Sequence, residues 1–60
     1  MTREMIKNEL KEKVEIYNYI SSRYTEYQNQ YNMNDDYIES TLNELEKIIT
    51  NLGALLDVYE

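Results

Sequence analysis

The sequence predicts an all-α fold, an antiparallel two-helix hairpin packed like a coiled coil. Apolar residues recur at alternating steps of four and three in both halves of the chain, which is the heptad spacing of packed helices. Pro is absent and Gly occurs once, so few turns are expected. The apolar pattern is interrupted once, near residues 32–36. We therefore expect one hairpin domain over residues 1–60, with helix 1 over about 3–31, a loop over about 32–35 and helix 2 over about 36–58.

Helix 1 is predicted from two interleaved heptad registers and an N-terminal cap at Thr2. The registers are Leu10, Tyr17, Tyr24 and Tyr31, and Ile6, Lys13, Ile20 and Tyr27. Tyrosine at such positions buries its ring and sends its hydroxyl to the rim of a thin bundle, so Tyr17, Tyr24 and Tyr31 are expected in the core. Tyr19 belongs to neither heptad register and is expected to face away from helix 2. Because tyrosine is enriched in interface hot spots, Tyr19 is predicted to contact a partner.

The connection contains residues that end one helix and begin the next. Asn32 tolerates the left-handed conformation that terminates helices, and Asp35 is suited to the N-cap of helix 2. Asp36 with Glu39 forms an alternative capping box shifted by one residue. Either arrangement leaves a connection of a few residues, which requires the helices to run antiparallel and side by side.

Helix 2 has an uninterrupted apolar seam: Ile38, Leu42, Leu45, Ile49, Leu52, Leu56 and Tyr59. Gly53 either ends this helix near Asn51 or is tolerated within it at about 1 kcal/mol. The pattern continues beyond Gly53, which favours a continuous helix. Four apolar residues beside the seams, Val14, Ile16, Ile48 and Leu55, make the apolar surfaces of the two helices wider than a two-helix contact can cover. We therefore predict self-association as a homodimer.

The composition excludes several classes of site. Without Cys or His, the chain has no disulfides, none of the ligands of common zinc sites and no usual nucleophile–base pair. One Gly is too few for a Gly-rich phosphate loop. Metal binding is conceivable at Asp35, Asp36 and Glu39, but helix capping accounts for those acids. We therefore predict no metal site.

The charge is −6 and unevenly distributed. Residues 1–31 carry five acids and five bases, whereas residues 32–60 carry seven acids and one base, Lys47. This balance argues against nucleic acid as a partner and suits a basic protein surface, although acids that merely maintain solubility would give the same balance. No apolar run approaches the ~20 residues of a membrane span, and the N-terminal residues lack the apolar core of a signal peptide. A cytoplasmic protein is expected.

Two stretches resemble the stage-zero-E-like aspartyl-phosphate phosphatases of spore-forming bacilli: residues 31–38 and residues 42–49. Members of that family are two-helix hairpins whose second helix carries the signature Ser-Gln-Glu-Leu-Asp, commonly extended by Lys-Leu-Ile. Here Glu44, Leu45, Lys47 and Ile49 match the extended signature, Asn43 keeps an amide, Glu46 keeps a carboxylate, Ile48 keeps an aliphatic side chain, and Leu42 replaces the Ser.

The resemblance implies a negative regulator that docks on the receiver domain of a response regulator and hydrolyses its phospho-aspartate. Positioning a water for in-line attack is nearly all that such catalysis requires, and the receiver would supply Mg²⁺, so the chain needs no cofactor. The implied catalytic residues are Asn43, Glu44 and Glu46. The same three residues with Lys47 and Tyr19 are the expected partner contacts.

The departures from the signature leave three functions open. Glu46 in place of Asp adds one methylene at the reactive tip, and a misplacement of ~1 Å can reduce a rate ~100-fold. The chain is therefore a phosphatase, or a non-catalytic binding module or inhibitor with the same fold, or a structural hairpin that dimerises into a four-helix bundle.

Overall fold

The structure, a computed structural model, describes residues 2–59 and contains two helices that pack against each other. Helix α1 spans Arg3–Tyr31 and helix α2 spans Asp36–Val58. The described residues include no strand, and the predicted all-α hairpin is confirmed. The molecule measures 45 × 15 × 13 Å. Its length is that of α1 itself, since 29 residues at ~1.5 Å each extend about 44 Å.

Both ends of α1 are capped as the sequence predicts. The Thr2 hydroxyl oxygen accepts a hydrogen bond of 3.2 Å from the backbone N–H of Met5. At the other end, Asn32 adopts the left-handed conformation, with φ 53° and ψ 42°, and its N–H donates to the carbonyl of Gln28 at 2.8 Å. This conformation turns the chain away from the helix axis, which ends α1 at Tyr31.

The N-cap of α2 is Asp35. One oxygen of its carboxylate accepts hydrogen bonds from the backbone N–H groups of Tyr37 at 3.0 Å and Ile38 at 3.1 Å. These two bonds satisfy donors that the first turn leaves free, so the alternative capping box beginning at Asp36 is wrong. At its other end, α2 continues through Gly53 to Val58, as favoured.

The core between the helices is thin. Among the described residues, only Ile6, with no exposed surface, and Tyr24, 6% exposed, are buried. The seam residues of α2 from Ile38 to Leu56 are half-buried, and α2 contains no buried residue. Lys13 occupies a seam position on α1, with its ammonium group 3.5 Å from the Glu9 carboxylate. One hairpin therefore buries little apolar surface, which makes its stability marginal.

Burial of Tyr31 was predicted and is wrong, because α1 extends beyond the start of α2. The hydroxyl of Tyr24 accepts a 2.7 Å hydrogen bond from the backbone N–H of Asp35 and lies 3.4 Å from its carbonyl oxygen. This contact holds the beginning of α2 near Tyr24, seven residues before α1 ends. Tyr31 consequently has no facing helix and is 56% exposed, with its ring 5.1 Å from that of Tyr27.

Candidate functional site: a polar flank on α2

Five side chains of α2 line an open depression of about 540 Å³ on one side of the helix. They are Asn43, Glu46, Lys47, Thr50 and Asn51, and we call this surface the polar flank. The steps of three and four between them place all five along one side of the helix. Because one helix supplies every lining residue, the depression is a shallow contact surface open to solvent.

The side chains of the polar flank do not pack against α1. The neighbouring residues Leu42, Leu45 and Ile49 are half-buried against α1, whereas the five flank residues are all exposed. Thr50 donates its hydroxyl hydrogen to the backbone carbonyl oxygen of Glu46 at 2.9 Å, one turn earlier in the same helix. The flank therefore presents an amide, a carboxylate and an ammonium group to anything that approaches this side of α2.

The structure brings together three of the five predicted site residues. Asn43, Glu46 and Lys47 lie side by side on the polar flank. Glu44 is exposed but does not line the depression. Tyr19 is 64% exposed on α1 and belongs to a different surface. A partner that binds the polar flank would therefore not contact Tyr19, and would reach Glu44 only at the edge of the contact.

Tyr19 belongs to a second depression, of about 300 Å³, which spans both helices. Its lining residues are Tyr19, Ile20, Arg23, Tyr24, Tyr27 and Ile38, none of which belongs to the polar flank. The Arg23 guanidinium carbon lies 5.3 Å from the centre of the Tyr19 ring, within cation–π range, and the same group is 3.8 Å from the Glu26 carboxylate. We call this surface the aromatic depression.

Sequence reasoning did not group the exposed Arg23 and the half-buried Tyr27 with Tyr19. Their spacing of four, at positions 19, 23 and 27, was a usable signal, because residues four apart share one side of a helix. Asn51 on the polar flank was also missed. It follows Asn43 by eight and Lys47 by four, which places it on the same side of α2.

The chemistry available on the polar flank is hydrogen bonding and charge. The Asn43 amide can accept and donate hydrogen bonds, the Glu46 carboxylate can accept them or take a proton, and the Lys47 ammonium can face an anion. Within residues 2–59, no group of three or more acidic, His or Cys side chains is placed to hold a metal ion. The Asp35 carboxylate serves as the cap of α2.

Comparison with known proteins found no relative of this chain. The chain matches no protein-family model, and no curated protein and no solved structure matches it. Neither helix in the described part of the chain has the length and apolar character needed to cross a membrane.

Proposed function

We propose that the chain is a negative regulator that docks the polar flank of α2 on the receiver domain of a response regulator and promotes hydrolysis of its phospho-aspartate. The observation that carries the proposal is the polar flank itself. Asn43, Glu46 and Lys47 form one exposed stripe on a helix whose seam residues are half-buried against α1. Such a helix can lie against a partner without any change in the hairpin.

The proposed reaction needs little from the hairpin beyond a positioned water. Water attacks phosphorus in line with the bond to the aspartyl oxygen, that bond breaks, and the products are a free aspartate and inorganic phosphate. The Glu46 carboxylate accepts the proton that the attacking water loses, and the Asn43 amide oxygen orients the water. Lys47 lies one residue beyond Glu46 and faces the negative charge of the phosphoryl group or of the acidic site around it.

The resemblance of residues 42–49 to the phosphatase signature supports the assignment of these roles, with Glu44 as a further residue of that signature. The acidic character of the second half of the chain supports a partner with a basic contact surface. A receiver-domain partner would place the hairpin in the cytoplasm, and the receiver would bring the Mg²⁺ that its phosphoryl group requires.

A second function, binding without hydrolysis, is favoured by the openness of the site. Asn43 and Glu46 are exposed, and no hydrogen bond or ion pair among the described residues holds either side chain in one orientation. Effective catalysis requires reacting groups to be held within a fraction of an ångström, and Glu46 is one methylene longer than the signature residue. A hairpin of this kind would sequester the regulator and leave its phosphoryl group in place.

The test is phosphate release from a panel of purified receiver domains phosphorylated with a small-molecule phosphodonor. Wild-type hairpin should accelerate release from one of them, and Asn43→Ala or Glu46→Ala should abolish the acceleration while helicity is retained. Matched controls are Asn18→Ala and Glu15→Ala, the same changes at exposed positions of α1. Binding without acceleration would establish the second function.

Failure to bind any receiver, or loss of activity in the α1 controls equal to that in the flank variants, would contradict the proposal.

A further inference from the structure

A stripe of exposed apolar side chains runs along one face of the hairpin, away from the polar flank. Ile16 and Ile48 are each 37% exposed, and Leu55 is 40% exposed. Each of these residues immediately precedes a seam residue: Tyr17, Ile49 and Leu56. In the heptad abcdefg, with the seam at a and d, all three occupy position g, and the g positions of two antiparallel helices lie on the same face. We call this surface the apolar face.

The two helices place Ile16 and Ile48 beside each other at the middle of the apolar face. Ile38 lines the aromatic depression together with Tyr24 and Tyr27. Since the helices run antiparallel with equal rise, Ile48, ten residues after Ile38, lies level with residues 14–17 of α1. Leu55 extends the face toward the end of the hairpin where Met5 is 53% exposed and Tyr59 is 47% exposed.

We infer that the apolar face is the interface of a homodimer in which a second copy of this hairpin completes a four-helix bundle. Within one copy, α2 has no buried residue and only Ile6 and Tyr24 are buried in the whole described chain. A second copy would cover Ile16, Ile48 and Leu55 and close the side of the seam that solvent now reaches. This inference does not rest on the proposed function.

A contact between two copies would occupy one whole side of the hairpin. That side measures 45 Å by 15 Å, an outline of about 700 Å², and each partner contributes ~800 Å² to a standard specific interface. The whole chain exposes 4795 Å², so the contact would cover a substantial share of it. A two-fold axis requires one self-complementary patch, and the apolar face provides one.

The charges on α1 are complementary about such an axis. Glu9 lies seven residues before Ile16 and Arg23 lies seven residues after it, on the same flank of the helix. With the two-fold axis at Ile16 and the copies antiparallel, Glu9 of one protomer faces Arg23 of its partner at both ends of the contact. Opposite charges in this arrangement would set the register and offset the repulsion between two chains of charge −6.

The dimer leaves Asn43 and Glu46 of the polar flank accessible, because both lie on the other side of the seam of α2 from Ile48 and Leu55. Asn43 and Glu46 follow the seam residues Leu42 and Leu45, whereas Ile48 and Leu55 precede seam residues. One dimer would therefore carry two copies of the polar flank, facing away from the interface.

The first test is analytical ultracentrifugation of the full chain over a range of concentrations. Wild type should sediment as a dimer, and Ile48→Glu should raise the dissociation constant by at least about tenfold, since it places a charge at the desolvated centre of the contact. Ala54→Glu is the matched control, because it adds the same charge at an exposed position of the same helix, and it should remain dimeric. Wild-type protein that is only monomeric at millimolar concentration would overturn the inference.

A second test does not depend on a folded charged variant. The chain has no Cys, so Ile16→Cys introduces a single thiol next to the proposed two-fold axis. Under mild oxidation it should form a disulfide-linked homodimer, which requires the two Cα atoms to approach within about 7 Å. Ser22→Cys, at an exposed position on the outer side of α1, is the control and should cross-link much more slowly. Equal rates for the two variants would overturn the assignment of this face.

Discussion

The hydrogen bond between Tyr24 and Asp35 is the contact that fixes the turn against α1, and Tyr24→Phe removes it with little change in volume. The hydroxyl accepts from the Asp35 N–H at 2.7 Å and lies 3.4 Å from the Asp35 carbonyl, on a side chain that is 6% exposed. A hydrogen bond of this kind contributes ~1 kcal/mol net, and leaving a part-buried N–H unpaired adds to the loss. We expect the free energy of unfolding to fall by about 1–2 kcal/mol. For a chain of this size, that corresponds to a decrease in Tm of roughly 8–16 °C.

The assay is urea and thermal unfolding followed by far-ultraviolet circular dichroism, with both proteins at one concentration because association would shift the transition. Tyr17→Phe is the control, since Tyr17 is half-buried on the same seam and makes no hydrogen bond among the described residues. The control should change stability by less than about 0.5 kcal/mol. Equal effects of the two substitutions would refute the role assigned to the Tyr24 hydroxyl.

Three further predictions concern the helix ends and the glycine, each measured by the same unfolding assay. Asp35→Ala removes the cap that accepts from two backbone N–H groups and should lower the free energy of unfolding by about 1 kcal/mol. Asp36→Ala, within the first turn, should lower it by a few tenths of a kcal/mol, and equal losses would contradict the cap assignment. Asn32→Ala places a β-carbon in the left-handed conformation and should cost about 1 kcal/mol, whereas Asn32→Gly should not destabilise the chain. Gly53→Ala should raise the free energy of unfolding by roughly 0.5–1 kcal/mol, because the added methyl group meets nothing within 4 Å on a helical backbone. A lower free energy of unfolding would show that other atoms pack against Gly53 in solution.

The hairpin was predictable because its determinants are local. Heptad spacing set both helices, and Asn32 and Asp35 set the connection through their own backbone preferences. The relative register of the helices was not predictable in this way, since it depends on the contact between Tyr24 and Asp35, eleven residues apart. The wrong expectation for Tyr31 follows from that register, because a heptad position buries a residue only where a facing helix is present.

The candidate site was predictable in its placement on α2. Residues beside an apolar seam must face outward, so Asn43, Glu46 and Lys47 could be grouped from spacing alone. Glu44 was grouped with them through the resemblance and does not line the depression. Tyr19 was identified as exposed, and Arg23 and Tyr27 could have been grouped with it by their spacing of four, whereas Ile38 joins them only through the packing of the other helix.

A nuclear magnetic resonance titration tests directly whether the polar flank docks on a receiver domain. Labelled hairpin would be mixed with receiver domains carrying beryllofluoride, a stable mimic of the phosphoryl group. The proposal predicts that the largest changes occur at the amide and side-chain signals of Asn43, Glu46, Lys47 and Thr50, with the outer side of α1 at Glu15 and Ser22 unaffected. Changes centred on Tyr19, Arg23 and Tyr27, or no change with any receiver, would contradict it.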